Sequence, residues 1–146
     1  MQKKEEIRDG LINHNVLIIW KPDYELRIPI IDEQHRGIVS TINSLYFGMQ
    51  NKHGKELLRP VSNMVYEYTR IHFQVEEDFH KQYGFPGQEH HHGLHSELTQ
   101  KLVRISNKSN WDEDPYEFLE FLKDWWINHI RHEDRLFTEF LLQKPS

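Results

Sequence analysis

Apolar residues recur along the chain at three- and four-residue spacing in four separate runs, and each run predicts one amphipathic helix. The first carries Ile31, His35, Ile38, Ile42, Leu45 and Met49 and is expected to end near Gly54. The second carries Val61, Met64, Val65, Tyr68, His72, Val75 and Phe79 and closes at Gly84-Phe85-Pro86. Pro60 opens this helix or sits in its first turn, where a missing N–H costs little. The third runs through His91, Leu94, His95, Leu98, Leu102 and Ile105 into the polar stretch 106–110. The fourth follows Asp114-Pro115, a capping carboxylate before a proline at the first helical position. It carries Phe118, Leu122, Trp125, Trp126, His129, Ile130, Phe137 and Phe140 to near Leu142. No strand-like alternation competes. Pro22, Pro29 and the lack of periodicity mark residues 1–30 as an N-terminal arm. The expected fold is all-α: residues 31–146 form an antiparallel up-down four-helix bundle with short connections.

Composition narrows the chemistry. A chain of 146 residues is one domain's worth and can bury a real core. Its net charge of −5 and its dispersed 18 Lys and Arg give no basis for a nucleic-acid partner. The absence of cysteine excludes disulfides, thiolate metal sites and a thiol nucleophile. The apolar run Val16-Leu17-Ile18-Ile19-Trp20 is too short to span a bilayer and lacks the flanks of a cleaved signal. A cytoplasmic protein with no membrane partner is the expectation.

Eleven histidines are the anomaly. His35, His72, His91, His95 and His129 fall on the apolar stripes. A buried imidazole needs partners for its nitrogens or costs a few kcal/mol. One such residue is more often a satisfied core histidine than a ligand. Spacing alone is weak too: His91 with His95, and His72 with Glu76, lie about 40° apart on a helix, so each pair can reach one ion, but such pairs arise by chance. The joint arrangement is stronger, because every helix aims an imidazole at the same core. Nitrogen and oxygen donors without sulfur suit iron, manganese or zinc. Facing helices of a bundle are where dinuclear carboxylate-bridged centres are built.

Four ordered motifs carry a resemblance. Ile31-Asp32-Glu33-Gln34-His35 is followed by His72-Phe73-Gln74-Val75-Glu76-Glu77, then by Tyr83-Gly84-Phe85-Pro86 leading to His91 and His95, and finally by His129-Ile130-Arg131-His132-Glu133-Asp134. Over roughly residues 20 to 142 the chain resembles the hemerythrins, in their single-domain bacterial form. Carried across position by position, the resemblance implies His35, His72, Glu76, His91, His95, His129 and Asp134 as ligands of two iron ions. His91, His95 and His129 would hold one iron and His35 and His72 the other, with Glu76, Asp134 and a solvent-derived hydroxide bridging both. The first iron then has six ligands and the second five, which leaves one position for reversible dioxygen binding. Helical spacing alone would pair His129 with Glu133, one turn on, since Asp134 lies about 140° away on an α-helix. The family pattern selects Asp134.

Spacing also suggests a pocket wall. Trp125 and Trp126 precede His129 by four and three residues and are expected to cover neighbouring parts of its face, with Ile130, Phe73 and Ile31 as companions. Ordinary core packing is the competing reading for Trp125. Trp126 departs from the smaller aliphatic residue common in the family. His14, His53, His80, His90, His92 and His132 lie outside the pattern and are expected at the surface. For His80, where the family usually has methionine, lining the core is the alternative. The leading functional reading is a non-enzymatic dioxygen-binding protein serving transport, storage or delivery. Its rival is an oxygen- or redox-sensing domain acting on a signalling partner, and an oxygen-consuming protein is a further candidate partner. A diiron enzyme fits the histidine-rich ligand set less well, because oxygen-activating bundles rely more on carboxylates.

Overall fold

Pro29 stands at the first position of helix α1 (Pro29–Gln50), so the proline that closes the arm in the sequence pattern in fact begins the bundle. Its fixed φ suits a helix start and its missing N–H would have had no partner there. The computed structural model describes residues 16–107 and 114–143, apart from the side chains of 105–107, 130 and 131. Helices α2 (Gly54–Tyr83) and α3 (Gln88–Asn107) follow. The fourth helical rod consists of α4 (Pro115–Trp125), a π-helical stretch (Trp126–Glu133) and α5 (Asp134–Gln143). Helix α1 packs against α2 and α4, and α2 packs against α3, which gives a four-helix bundle. Among the described residues no helix is long and apolar enough to cross a membrane.

Two further boundaries differ from the sequence pattern. Helix α1 ends at Gln50 rather than near Gly54; Lys52 then takes a left-handed φ of 64° and the chain reverses. Helix α2 starts at Gly54, so Pro60 lies in its second turn rather than at its opening. Buried Leu58 draws this early segment onto the core, and the bond forfeited by Pro60 belongs to the carbonyl of exposed Glu56, which water can satisfy. The other end of α2 follows the pattern. Gly84 adopts φ 65°, its N–H donates to the His80 carbonyl, and the chain turns into α3. The N-terminus of α4 is capped as expected, with the Asp114 carboxylate accepting from Tyr116 N at 2.9 Å.

The buried line of α2 runs Leu58, Val61, Val65, Thr69, His72, Phe73, Glu76 and His80. Met64 and Tyr68, expected on that line, are instead 49% and 38% exposed on its flank. Tyr68 lies across Gly37 of α1, where an added Cβ would come within 2.7 Å of its ring. The core divides into two ends. One is apolar, with Ile38, Ile42, Leu45, Leu58, Val65, Leu98, Leu102, Phe118 and Leu122 all buried. The other is filled by histidines and carboxylates, whose burial costs several kcal/mol and must be offset by the apolar end. The described part of the arm, from residue 16 onward, lies against this framework. Asn43 Oδ1 accepts from the amides of Leu17 and Ile18 at 3.0 and 2.9 Å, Asp32 Oδ1 accepts from Leu26 N at 2.8 Å, and Ile18 and Leu26 are buried.

Candidate metal centre

Each helical rod delivers part of one buried cluster. Helix α1 supplies His35; α2 supplies His72 and Glu76; α3 supplies His91 and His95; the π-helical stretch supplies His129; α5 opens with Asp134. None is more than 3% exposed. The pairs on α2 and α3 meet through ordinary i,i+4 spacing. His129 and Asp134 meet by a different route. The amide of Asp134 donates to the carbonyl of His129, five residues back, so one turn here holds one residue more than an α-turn. Residues five apart then share a face. His129 Nε2 comes 3.4 Å from Asp134 Oδ1, while Glu133, one position earlier, points outward to exposed His90 at 3.6 Å.

The cluster separates into two overlapping groups of donor atoms, Glu76 with His91, His95 and His129, and His35 with His72, Glu76 and Asp134. In each group the donor atoms lie within 4.8 Å of one another. The two carboxylates straddle the groups. Glu76 turns Oε1 toward His72 at 2.9 Å and Oε2 toward His91 and His95 at 3.0 and 3.1 Å. Asp134 turns Oδ2 toward His35 and His72 at 2.9 and 3.4 Å and Oδ1 toward His91 and His129 at 2.9 and 3.4 Å. Each carboxylate therefore presents one oxygen to a three-histidine side and the other to a two-histidine side.

Electrostatics reflects the same crowding. Burial depresses the His72 imidazole, but Glu76 and Asp134 more than offset this and raise its pKa to about 9. His91, likewise buried and in contact with both carboxylates, rises to about 10. Burial wins at His129, which falls to about 3, and it lowers His95 as well. Burial works against ionisation of Glu76 and Asp134, yet the surrounding imidazoles hold both carboxyls well below the usual carboxylate range. A positive charge is thus required among these groups, and protons on His72 and His91 supply it without a cation.

The donor atoms fit a cation better than they fit one another. Nε2 of His91, His95 and His129, both oxygens of Glu76 and Oδ1 of Asp134 are buried with no hydrogen-bond partner among the described residues. The short nitrogen–oxygen approaches at His91 and His95 do not run along the ring N–H axes, so they are close pairs rather than hydrogen bonds. Buried polar atoms are seldom left unmatched. Inward-turned nitrogen and oxygen donors without sulfur are a set that could hold a divalent or trivalent metal ion. Gln34 adds support behind the two-histidine side: His72 Nδ1 donates to Gln34 Oε1 at 2.9 Å, which fixes the ring and leaves Nε2 for the cluster.

The aromatic surroundings differ in part from the expected wall. Phe73 stacks on His95, with ring centroids 3.5 Å apart and planes 8° apart. Trp125 stacks on His129 at 5.3 Å and 10°. Trp126 turns away from it and sets its indole edge-on to His35 at 5.9 Å and 88°. The two indoles therefore serve opposite sides of the cluster, because successive helical residues diverge by about 100°. Ile31 is buried one turn before His35; the side chain of Ile130 lies outside the described residues. Trp20 and Tyr24, from the arm, pack on Trp126 at 5.9 and 5.6 Å. Periodicity could not reveal them, since the contact joins segments far apart in sequence. His53, His90, His92 and His132 are exposed, and His14 lies outside the described residues. His80 is not at the surface: it is 1% exposed, wedged between His91, Phe85 and Phe137, and burial lowers its pKa to about 4. It continues the inward line of α2 one turn beyond Glu76.

Comparison with known proteins places the chain in a family. The family model described as the hemerythrin HHE cation binding domain matches residues 26–141. The chain is 28% identical over 124 residues to a bacteriohemerythrin of Stenotrophomonas maltophilia, covering 84% of this chain and 80% of that one. It is 28% identical over 123 residues to a hemerythrin from Sipunculus nudus, covering 84% and 92%. A crystal structure of a hemerythrin in which tyrosine replaces a leucine superposes with a TM-score of 0.76 at 21% identity, covering 85% of this chain and 96% of that one.

Proposed function

This chain belongs to the hemerythrin family, and on that premise we propose that it binds dioxygen reversibly, without turnover, at a diiron centre held by His35, His72, Glu76, His91, His95, His129 and Asp134. The observation that carries this reading is the unequal division of histidines about two straddling carboxylates, three on one side and two on the other. If Glu76 and Asp134 each gave one oxygen to either side, the two-histidine side would be one donor short, and a small ligand could enter there. Two ferrous ions there would supply the two electrons that dioxygen uptake requires and recover them on release.

The chain's own residues do the rest. Glu76 and Asp134 would each present one oxygen to either side of the cluster and would offset part of the cations' charge. Gln34 orients His72, and Phe73 and Trp125 clamp His95 and His129 by stacking. Trp126, backed by Trp20 and Tyr24, packs on the His35 side and would keep bulk water from a ligand bound there. Water exclusion favours release of the ligand intact over irreversible oxidation of the site. The test is an absorption spectrum of the ferrous-loaded protein taken through repeated cycles of air and argon. A new visible band that appears in air and disappears under argon, cycle after cycle, supports reversible binding. Steady consumption of oxygen with a reductant present would instead indicate an oxidase.

A further inference from the structure

Seven inward-facing donors raise the question of how a cation reaches them. His35, His72 and Glu76 are wholly buried, so the two-histidine side gives no direct access. On the three-histidine side a cavity of about 280 Å³ lies between α3 and the fourth rod, and His129 forms part of its lining. Both ring nitrogens of His129 are buried without a hydrogen-bond partner, as is the indole nitrogen of Trp125 beside it. Three carboxylates share that lining, Glu97 from α3, Asp124 from α4 and Glu133 from the π-helical stretch. No lysine or arginine among the described residues joins them. Lys101 lies over the ring of Phe121, outside the lining. A second cavity, beside His95, differs in charge: Arg70 lines it, and its Glu77 is held by His92 at 2.7 Å, closer than the 3.6 Å between His90 and Glu133.

We propose that the acidic cavity beside His129 is the loading port through which a divalent cation enters the three-histidine side of the cluster. The proposal rests on the diiron reading, since it supplies a route for ions which that reading requires. A cleft lined by one sign of charge between apolar walls concentrates counter-ions and speeds their arrival by about tenfold or more. Glu97 and Asp124 attract the hydrated cation at the mouth. Glu133 carries it inward, and His129, with a buried and unmatched ring nitrogen, is the first donor it meets. The outward turn of Glu133, which withholds it from the cluster, is what puts it in this path. No bond is made or broken beyond exchange of water for protein donors.

The test is the rate at which the metal-free chain takes up ferrous ion under argon, followed by stopped flow through quenching of tryptophan fluorescence, with final metal content measured separately. The variant Glu97→Gln/Asp124→Asn changes neither the π-helical stretch nor any cluster donor. It should slow uptake about tenfold at low salt, with the difference shrinking as salt is added and the final content unchanged. Leu94→Phe, which narrows the cavity without altering charge, should slow uptake at every salt concentration. Glu77→Gln, at the second cavity, should have little effect. Unchanged rates in the first two variants, or a larger effect at Glu77, would overturn the port while leaving the diiron reading intact. Failure of the unaltered chain to take up ferrous ion would overturn both.

Discussion

Asp134 and His129 are joined by a backbone hydrogen bond spanning five residues, and this one π-turn decides which carboxylate of the fourth rod faces the cluster. In an unbroken α-helix the position one turn after His129 belongs to Glu133. Here Glu133 pairs outward with His90, and Asp134 divides its oxygens between the two histidine sides. π-Helical turns are rare and occur frequently at functional sites.

Replacing Asp134 by alanine should therefore abolish the dinuclear centre or leave a single metal ion, whereas Glu133→Ala should retain two. Elemental analysis of both variants after anaerobic loading distinguishes them. The reverse outcome would mean that the extra residue in the turn does not select the ligand.

Much of this arrangement is legible in the sequence, and the limits have physical causes. The stripes through His35, His72, His91 and His129 place an imidazole of every rod inside because three-to-four periodicity directly reports a buried face. The π-turn is invisible to that periodicity, which assumes a uniform twist, and only the resemblance to a family points to Asp134. Met64 and Tyr68 read as core because apolar residues on a flank keep the same spacing, and their exposure depends on where α1 happens to lie. The contact of Trp20 and Tyr24 with Trp126 joins the arm to the fourth rod, which no local pattern encodes. His80 reads as a surface residue by type, although its place one turn beyond Glu76 carries the contrary signal.

Gln34 accepts from His72 Nδ1 and holds that ring for the two-histidine side. Gln34→Ala should weaken one of the two metal ions by about 10–100-fold, with helix content unchanged by circular dichroism. Competition with a chelator of known affinity measures this. Equal weakening of both ions would argue for a general loosening of the bundle instead.

The metal-free chain should lose stability in alkali. His72 and His91 have folded pKa values of about 9 and about 10, above the ordinary imidazole value of 6.5. Their contribution is complete below about pH 6.5 and disappears as pH rises through about 9 and 10. The opposite shifts act in acid. Glu76 and Asp134 are depressed, as are His80, His95 and His129, so their contributions are lost as pH falls. Urea unfolding of the metal-free chain between about pH 5 and pH 10 should show falling stability from about pH 7 upward. The loaded form should not follow this course, because cations replace those protons. A metal-free chain whose stability is constant or rises toward about pH 10 would contradict the charge arrangement.

Trp126 is 1% exposed and stands edge-on to His35 beneath Trp20 and Tyr24. Trp126→Leu should cost about 1–3 kcal/mol of stability by leaving a partly filled cavity. It should also speed azide entry into the ferric protein and hasten autoxidation in air. Azide kinetics can be followed well below the melting temperature, so the two effects separate. A loss of stability with unchanged azide entry would make Trp126 core packing alone.

The proposed centre holds two cations, not one, in the donors which Glu76 and Asp134 divide between them. Iron content of the purified chain, after anaerobic loading with ferrous ion and removal of excess metal, tests this without intermediaries. Two irons per chain are expected, both lost to a chelator in denaturant, with helix content lower in the stripped protein on refolding without metal. Saturation at one metal ion per chain, or stable loading with a single zinc and no iron, would contradict the dinuclear centre.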